Sequence, residues 1–391
     1  MQHSDKSNTV ATGLAMFSMF FGAGNVVFPL ALGQYAQDMN FYAILGLLIT
    51  AVGVPFLGLI SMTLFNGNYQ QFFGRIGKVP GFLVSLAIMG LIGPFGAIPR
   101  CITLSYATLQ LYLPDLSLII FSALACVIIF ALTVKRNNIL EILGYFLTPL
   151  LLGSLAIIII KGMVTSYPAP ESTHQPASIF LTGLLDGYKT MDLLGAFFFS
   201  SIILACLEKD IDPSHPQPKR YKQMIMLALK ATAIGASLLA LSYIGFSYIA
   251  AYNSTYLADT RPDQLAGTLA ILILGPYASI VACMAVSVAC LTTAIALAAV
   301  FAEFVHKDVT NNKVSYPIAL IATLIATFFV STLDFNGIAA FLFPILQICY
   351  PALIVLCFLN IAFKLHHFKP VKIPVLIVFI LSLIGFIVQS T

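Results

Sequence analysis

Met16-Phe17-Ser18-Met19-Phe20-Phe21-Gly22-Ala23-Gly24-Asn25-Val26-Val27-Phe28-Pro29 interrupts the first apolar stretch of the chain in its middle. Two glycines, an amide and a proline fall where a membrane helix would otherwise run without a break. Inside lipid every freed backbone N–H and C=O needs a partner, so an interruption persists only when buried in protein or facing a watery or ligand-filled cavity. Broken membrane helices therefore point to a binding site. The plainer alternative is a Gly/Pro kink packed against a neighbouring helix.

The remaining sequence suits a bilayer. Of 391 residues, 60% are hydrophobic and 9% charged, and the mean hydropathy is +0.98. These values imply an all-α polytopic membrane protein. The net charge of +4 is spread over loops, which speaks against a nucleic-acid face. Cys101, Cys126, Cys206, Cys283, Cys290, Cys349 and Cys357 all lie in apolar runs without CxxC spacing and read as small buried hydrophobes. The tail MQHSDKSNTV leads straight into the interrupted stretch, so no cleavable signal peptide is expected.

Eleven stretches are long enough to span, at about 9–36, 41–66, 80–111, 116–134, 139–163, 178–207, 221–251, 275–304, 314–332, 336–362 and 373–390. With the N-terminus cytoplasmic, the inner side holds Lys6, Arg75, Lys78, Lys135, Arg136, Lys209, Lys219, Arg220, Lys222, Lys307, Lys313, Lys364, Lys369 and Lys372. The outer side holds Lys161 and Arg261. Such asymmetry is the positive-inside pattern and sets the orientation. Two outer connections stand out, 162–177 by its Pro, Ser and Thr content and 252–274 by Asp259, Arg261 and Asp263; the inner connection 208–223 reads as a solvated linker.

The sixth stretch is interrupted as well, at Leu184-Leu185-Asp186-Gly187-Tyr188-Lys189-Thr190-Met191-Asp192-Leu193-Leu194-Gly195-Ala196-Phe197. An offset of five helices, being odd, turns the second half upside down relative to the first. The expected architecture is a five-plus-five inverted repeat, about 9–163 and 178–362, with an extra helix at 373–390, within one transport domain.

Four runs, FFGAGNVVFP (20–29), GPFGAIPR (93–100), GYKTMDLLG (187–195) and ACLTTAIALAAVFAEF (289–304), come in the order seen in the bacterial branched-chain amino acid:cation symporters, the Leu/Ile/Val carriers of transport system II. The chain resembles that family along nearly its whole length. The resemblance implies a leucine-transporter-like fold, location in the bacterial inner membrane, and uptake of leucine, isoleucine and valine driven by Na+. H+ coupling, for these or other neutral amino acids, is the alternative. No organic cofactor and no enzymatic activity are implied; HExxH and GxSxG are absent from the sequence. Family members commonly have twelve spans against eleven expected here. Lys189 stands where many relatives have an uncharged residue.

The residues supply a chemistry for such a substrate. A half-helix beginning at Gly22, Ala23, Gly24 and Asn25 offers free N–H groups and a positive dipole end to a carboxylate. Asn25 either touches substrate or caps that half-helix. In the sixth stretch Tyr188, Thr190 and Gly195 are the matching substrate candidates, with freed carbonyls expected over Asp186–Lys189 and Phe197, Phe198 and Phe199 as nearby apolar walls. Arg100, Lys189 and Asp192 are ionisable and deep in apolar stretches, hence functional candidates by default. Lys189 and Asp192 pair if the segment between them is wound, and Arg100 either binds a carboxylate or pairs with Asp192. Lys230 and Glu303 lie near the inner boundary, where snorkelling suffices. For the cation, the resemblance implies hydroxyls of Thr292 and Thr293 with carbonyls near Ala289, Ser18 and Phe21, although a membrane Thr usually bonds back to its own turn.

Overall fold

A computed structural model of the chain describes residues 3–134, 148–165, 167–208, 211 and 217–390. Lys135, Arg136, Lys209, part of the 208–223 linker and the first part of the fifth stretch lie outside the described residues. What is described is helical: α1 (His3–Phe20) and α2 (Ala23–Ala36), then α3 (Asn40–Leu48), which passes through a wide π-helical turn at Ile49–Gly53 into α4 (Val54–Thr63). Pro55 brings no N–H to the start of α4, and a widened turn absorbs the missing bond. A short α5 (Tyr69–Gly74) precedes α6 (Lys78–Ile92), α7 (Ala97–Gln110), α8 (Leu118–Thr133) and α9 (Thr148–Val164).

The second half begins with α10 (Pro176–Lys189) and α11 (Asp192–Glu208), followed by the long α12 (Gln217–Ala251). The 252–274 connection carries two small helices, α13 (Ser254–Leu257) and α14 (Leu265–Leu274). Then come α15 (Ala278–Phe304), α16 (Tyr316–Ser331), α17 (Asp334–His366) and α18 (Lys372–Ser390). Among the described residues five stretches are long and apolar enough to cross a membrane, namely Ala23–Thr63, Lys78–Gln110, Lys219–Ala251, Ala278–Val309 and Asp334–His366. The pair α10 and α11, bent by 41°, makes a sixth.

Three interruptions position the site. The first, at Phe21–Gly22, separates α1 from α2; the second, at Thr190–Met191, separates α10 from α11. The third, at Gly93–Gly96, divides the 80–111 stretch into α6 and α7. Around them α2 lies along α12, α15 along α7, and α10 along α3. The last contact is possible only because both helices present glycine: a Cβ on Gly46 would stand 2.3 Å from the Phe180 carbonyl oxygen, and one on Gly183 2.2 Å from that of Ala43. Small residues at such crossings let backbones approach and gain dispersion contacts, the main attraction left to helices within lipid.

Candidate binding site at the broken helices

The first and second interruptions face each other across a cavity of about 40 Å³, room for about three waters. Its walls include Gly22, Ala23, Gly24, Asn25, Arg100, Thr190, Met191, Asp192, Gly195 and Thr293. The apolar part of the wall is Met19, Phe20, Ile92, Ala97, Phe199 and Leu297.

Gly22 is the extended residue before α2, and Asn25 folds back to cap the break, its Oδ1 accepting the Gly22 N–H at 3.1 Å. The amide nitrogen is thereby aimed the other way. It donates to Asp192 Oδ1 and Oδ2 at 2.9 and 2.8 Å and to the hydroxyl of Tyr243 on α12. Tyr243 in turn donates to Asp192 Oδ2 at 2.9 Å. All three side chains are buried. Asp192 occupies the first turn of α11, where a carboxylate also meets the positive end of the helix dipole. The two alternatives for Asn25 are thus joined by a third: it caps α2, lines the cavity and ties the first broken helix to the second. Tyr243 is the residue that sequence reasoning missed. A lone tyrosine in a long apolar helix carries no spacing signal that separates it from an ordinary membrane aromatic.

The sixth stretch breaks later than expected. α10 stays wound through Lys189, and the chain turns at Met191, whose φ of +66° is left-handed. That turn takes Asp192 off the helical face of Lys189, so the two do not pair. Lys189 instead pairs with Asp186 one turn back, Nζ to Oδ1 at 2.5 Å. Of the carbonyls in the 186–189 segment, Gly187 accepts the Thr190 hydroxyl at 2.9 Å and Lys189 accepts Arg100 Nη1 at 2.8 Å. Tyr188 does not line the cavity and packs on Tyr350, with ring centroids 4.7 Å apart and the rings tilted by 37°. Only Phe199 of the phenylalanine triplet reaches the cavity; Phe197 packs on Phe72 and Phe73, and Phe198 on Tyr69.

Arg100, on α7 just past the third interruption, is 1% exposed. It makes no ion pair with Asp192, although both line the cavity. Its guanidinium lies against the adjacent rings of Phe28 and Phe335, at 4.8 and 5.3 Å from their centroids, a cation–π setting that partly offsets its burial. Gly24 packs closely here: a Cβ would come 2.7 Å from Arg100 Nη2, which would have to shift, and 3.1 Å from the Thr190 Cα.

Below the substrate candidates, the hydroxyl of Thr293 on α15 reaches across to the Phe21 carbonyl at 3.3 Å. Thr292 bonds back to the Ala289 carbonyl at 2.7 Å, inside its own turn. Ser18, on α1, does not line the cavity. Lys230 is exposed and Glu303 pairs with Lys307 at 2.6 Å.

A family model described as branched-chain amino acid transport protein matches residues 5–391. The chain belongs to that family. Among curated relatives, the branched-chain amino acid permease BrnQ of Bacillus subtilis (strain 168) is 31% identical over 375 residues, spanning 92% of this chain and 82% of the permease. Solved structures of similar fold include inward-facing Mhp1, with a TM-score of 0.64 at 13% identity over 93% of this chain and 79% of that one. MhsT in complex with L-phenylalanine gives 0.56 at 14% identity, over 95% and 98% of the two chains. At such identities these two establish the fold and nothing finer. This member of the branched-chain amino acid transport family is therefore a multi-pass helical membrane transporter and not an enzyme.

Proposed function

We propose that the protein imports leucine, isoleucine and valine across the bacterial cytoplasmic membrane by Na+ symport, through alternating access. The observation that carries this reading is the convergence of two broken helices, at Gly22 and Met191, on one cavity with charged groups and apolar walls. In a five-plus-five inverted repeat with eleven spans and a cytoplasmic N-terminus, the repeats 9–163 and 178–362 place these breaks at the pseudo-symmetric centre, where such transporters bind their cargo. The N-terminal turn of α2 at Gly22, Ala23 and Gly24 receives the substrate, with Asn25, Thr190 and Gly195 around it. Apolar side chains such as Ile92, Ala97 and Leu297 suit a branched aliphatic group. The cavity holds only a few waters, so cargo enters as Phe20, Phe199 and Met191 move aside.

For the coupling ion, the Thr293 hydroxyl and the Phe21 carbonyl, 3.3 Å apart, join the first and eighth stretches with oxygen ligands of the kind a hard monovalent cation takes. Carbonyls near Ser18 and Ala289 complete the set, while the Thr292 hydroxyl is bonded within its own turn. An H+-coupled mechanism is the second reading, favoured by Asp192, a carboxylate buried between two movable half-helices and bonded to both Asn25 and Tyr243. Purified protein in liposomes decides the matter. Na+-dependent accumulation of labelled leucine supports symport as proposed; accumulation under a proton gradient alone selects the second reading; accumulation of no branched-chain amino acid under either gradient rejects both.

A further inference from the structure

The guanidinium of Arg100 has a free side. Nη1 donates to the Lys189 carbonyl, while Nε and Nη2 are buried without a hydrogen-bond partner. These two atoms form the side-on edge of the guanidinium, whose parallel N–H groups match the two oxygens of a carboxylate. An unmet cationic edge deep in an apolar setting costs more than it returns unless a ligand completes it. The same group lines the cavity at the first and sixth breaks, beside the N-terminal turn of α2 that begins at Ala23. Asp192 lines that cavity too, without a salt bridge to Arg100. One cationic and one acidic group, with no salt bridge between them, complement a zwitterion.

Resting on the proposed amino-acid cargo, we infer that Arg100 is the carboxylate anchor of the binding site: its Nε/Nη2 edge takes the substrate α-carboxylate bidentately. Asp192 supplies the charge that the α-ammonium requires. The arrangement selects α-amino acids over analogues lacking the acid group. It also fits the close packing at Gly24, since a side chain there would lie against Nη2. Binding further tightens the join between α7 and α10, because Nη1 of the same guanidinium holds the Lys189 carbonyl.

The test is equilibrium binding to the purified full-length protein in lipid nanodiscs, with labelled leucine competed by unlabelled leucine and by leucinol, which keeps the amine and isobutyl group but has no carboxylate. Wild type is expected to prefer leucine strongly. Arg100→Gln should weaken leucine by about 10- to 100-fold, the range of a charged hydrogen-bonded contact, and leave leucinol affinity unchanged, so that the preference collapses. Arg100→Lys should recover part of it. If Arg100→Gln loses both ligands alike, Arg100 only props the break and the inference fails; if it keeps leucine affinity, the inference fails outright. Chloride is the other anion that could meet the free edge. Replacing it by gluconate should leave leucine binding unchanged, and a chloride requirement abolished in Arg100→Gln overturns the assignment. Wild type that binds no branched-chain amino acid rejects the proposed cargo, whereas leucine binding that is indifferent to Arg100 rejects the anchor alone.

Discussion

Asn25 and Asp192 lie 167 residues apart in sequence and are joined by two contacts of 2.9 and 2.8 Å at the meeting of the two broken helices. Tyr243 donates to the same carboxylate at 2.9 Å and brings α12 into the join. Each helix break therefore supplies what the other lacks: the first offers an amide whose oxygen is already used in capping, and the second an acid at a helix N-terminus.

Removing Tyr243's hydroxyl takes away one of the hydrogen bonds that hold Asp192. A buried hydrogen bond to a charged acceptor is worth roughly 1.5–3 kcal/mol, so Tyr243→Phe should lower thermal stability measurably and reduce leucine uptake. Asn25→Ala removes the cap and the amide together and should cost more. The two losses should not add. A double-mutant cycle on Asn25 and Tyr243 is expected to give a coupling of about 0.5–3 kcal/mol, as for neighbours in one network. Additive losses would show that the three side chains act independently.

The glycines of the α3 and α10 crossing give a second test. Gly46→Ala and Gly183→Ala each force a methyl within 2.3 Å of a backbone oxygen, which no side-chain rotation relieves. Overpacking of this kind costs about 1–3 kcal/mol or more. Gly153 and Gly385 have nothing within 4 Å of their would-be Cβ, and alanine there should be neutral or gain up to about 1 kcal/mol in helix propensity. Fluorescence-detected size-exclusion chromatography after heating ranks all four variants in one experiment.

The breaks at Gly22 and near Met191 were readable because glycine, proline and polar residues within an apolar run leave backbone groups that lipid cannot satisfy. The family was readable from four ordered motifs. What the sequence did not carry was the partner of each polar group. Lys189 and Asp192 are three apart, a spacing that predicts a pair only if the helix continues; the left-handed turn at Met191 breaks that premise and Asp186 takes the lysine. Arg100 was readable as costly and hence functional, yet its contacts are the Lys189 carbonyl, a backbone atom that no residue pattern encodes, and the Met191 sulfur. Tyr188 and Thr190 sit two apart in sequence, but only Thr190 lines the cavity, and Tyr188 packs on Tyr350.

Thr292 and Thr293 are adjacent but differently engaged. Thr293 spans to the Phe21 carbonyl on the first broken helix, whereas Thr292 returns to Ala289 in its own turn. If the cation sits at the first of these, Thr293→Ala should raise the Na+ concentration for half-maximal leucine uptake at least about tenfold, the loss of one oxygen ligand being comparable to a hydrogen bond to a charge. Thr292→Ala should change it little. Equal effects from both would place the two hydroxyls in the site together; no effect from either removes this site from the coupling scheme.

The 252–274 connection, between two spanning helices, offers a pH test. Asp263, 3% exposed, is held by Arg261 through contacts of 3.2 and 2.8 Å, and Arg261 also lies 3.6 Å from Asp334 at the start of α17. Burial pushes Asp263 above the usual carboxylate value of 3.8, and the Arg261 guanidinium pulls against that shift without cancelling it. A carboxyl whose proton is held more tightly in the seated loop than in the detached one favours seating in acid. The contribution is full below the ordinary value and declines as the pH rises through the raised one; above that it is constant. Arg261→Ala removes the opposing charge, so the decline should move to higher pH and the loop should detach more readily near neutrality. Asp263→Asn should abolish the dependence. Hydrogen exchange across residues 262–274, corrected for the intrinsic pH dependence of the exchange reaction, reads both effects. A protection profile unchanged by either substitution would mean that the apolar contacts of α14 alone seat the loop.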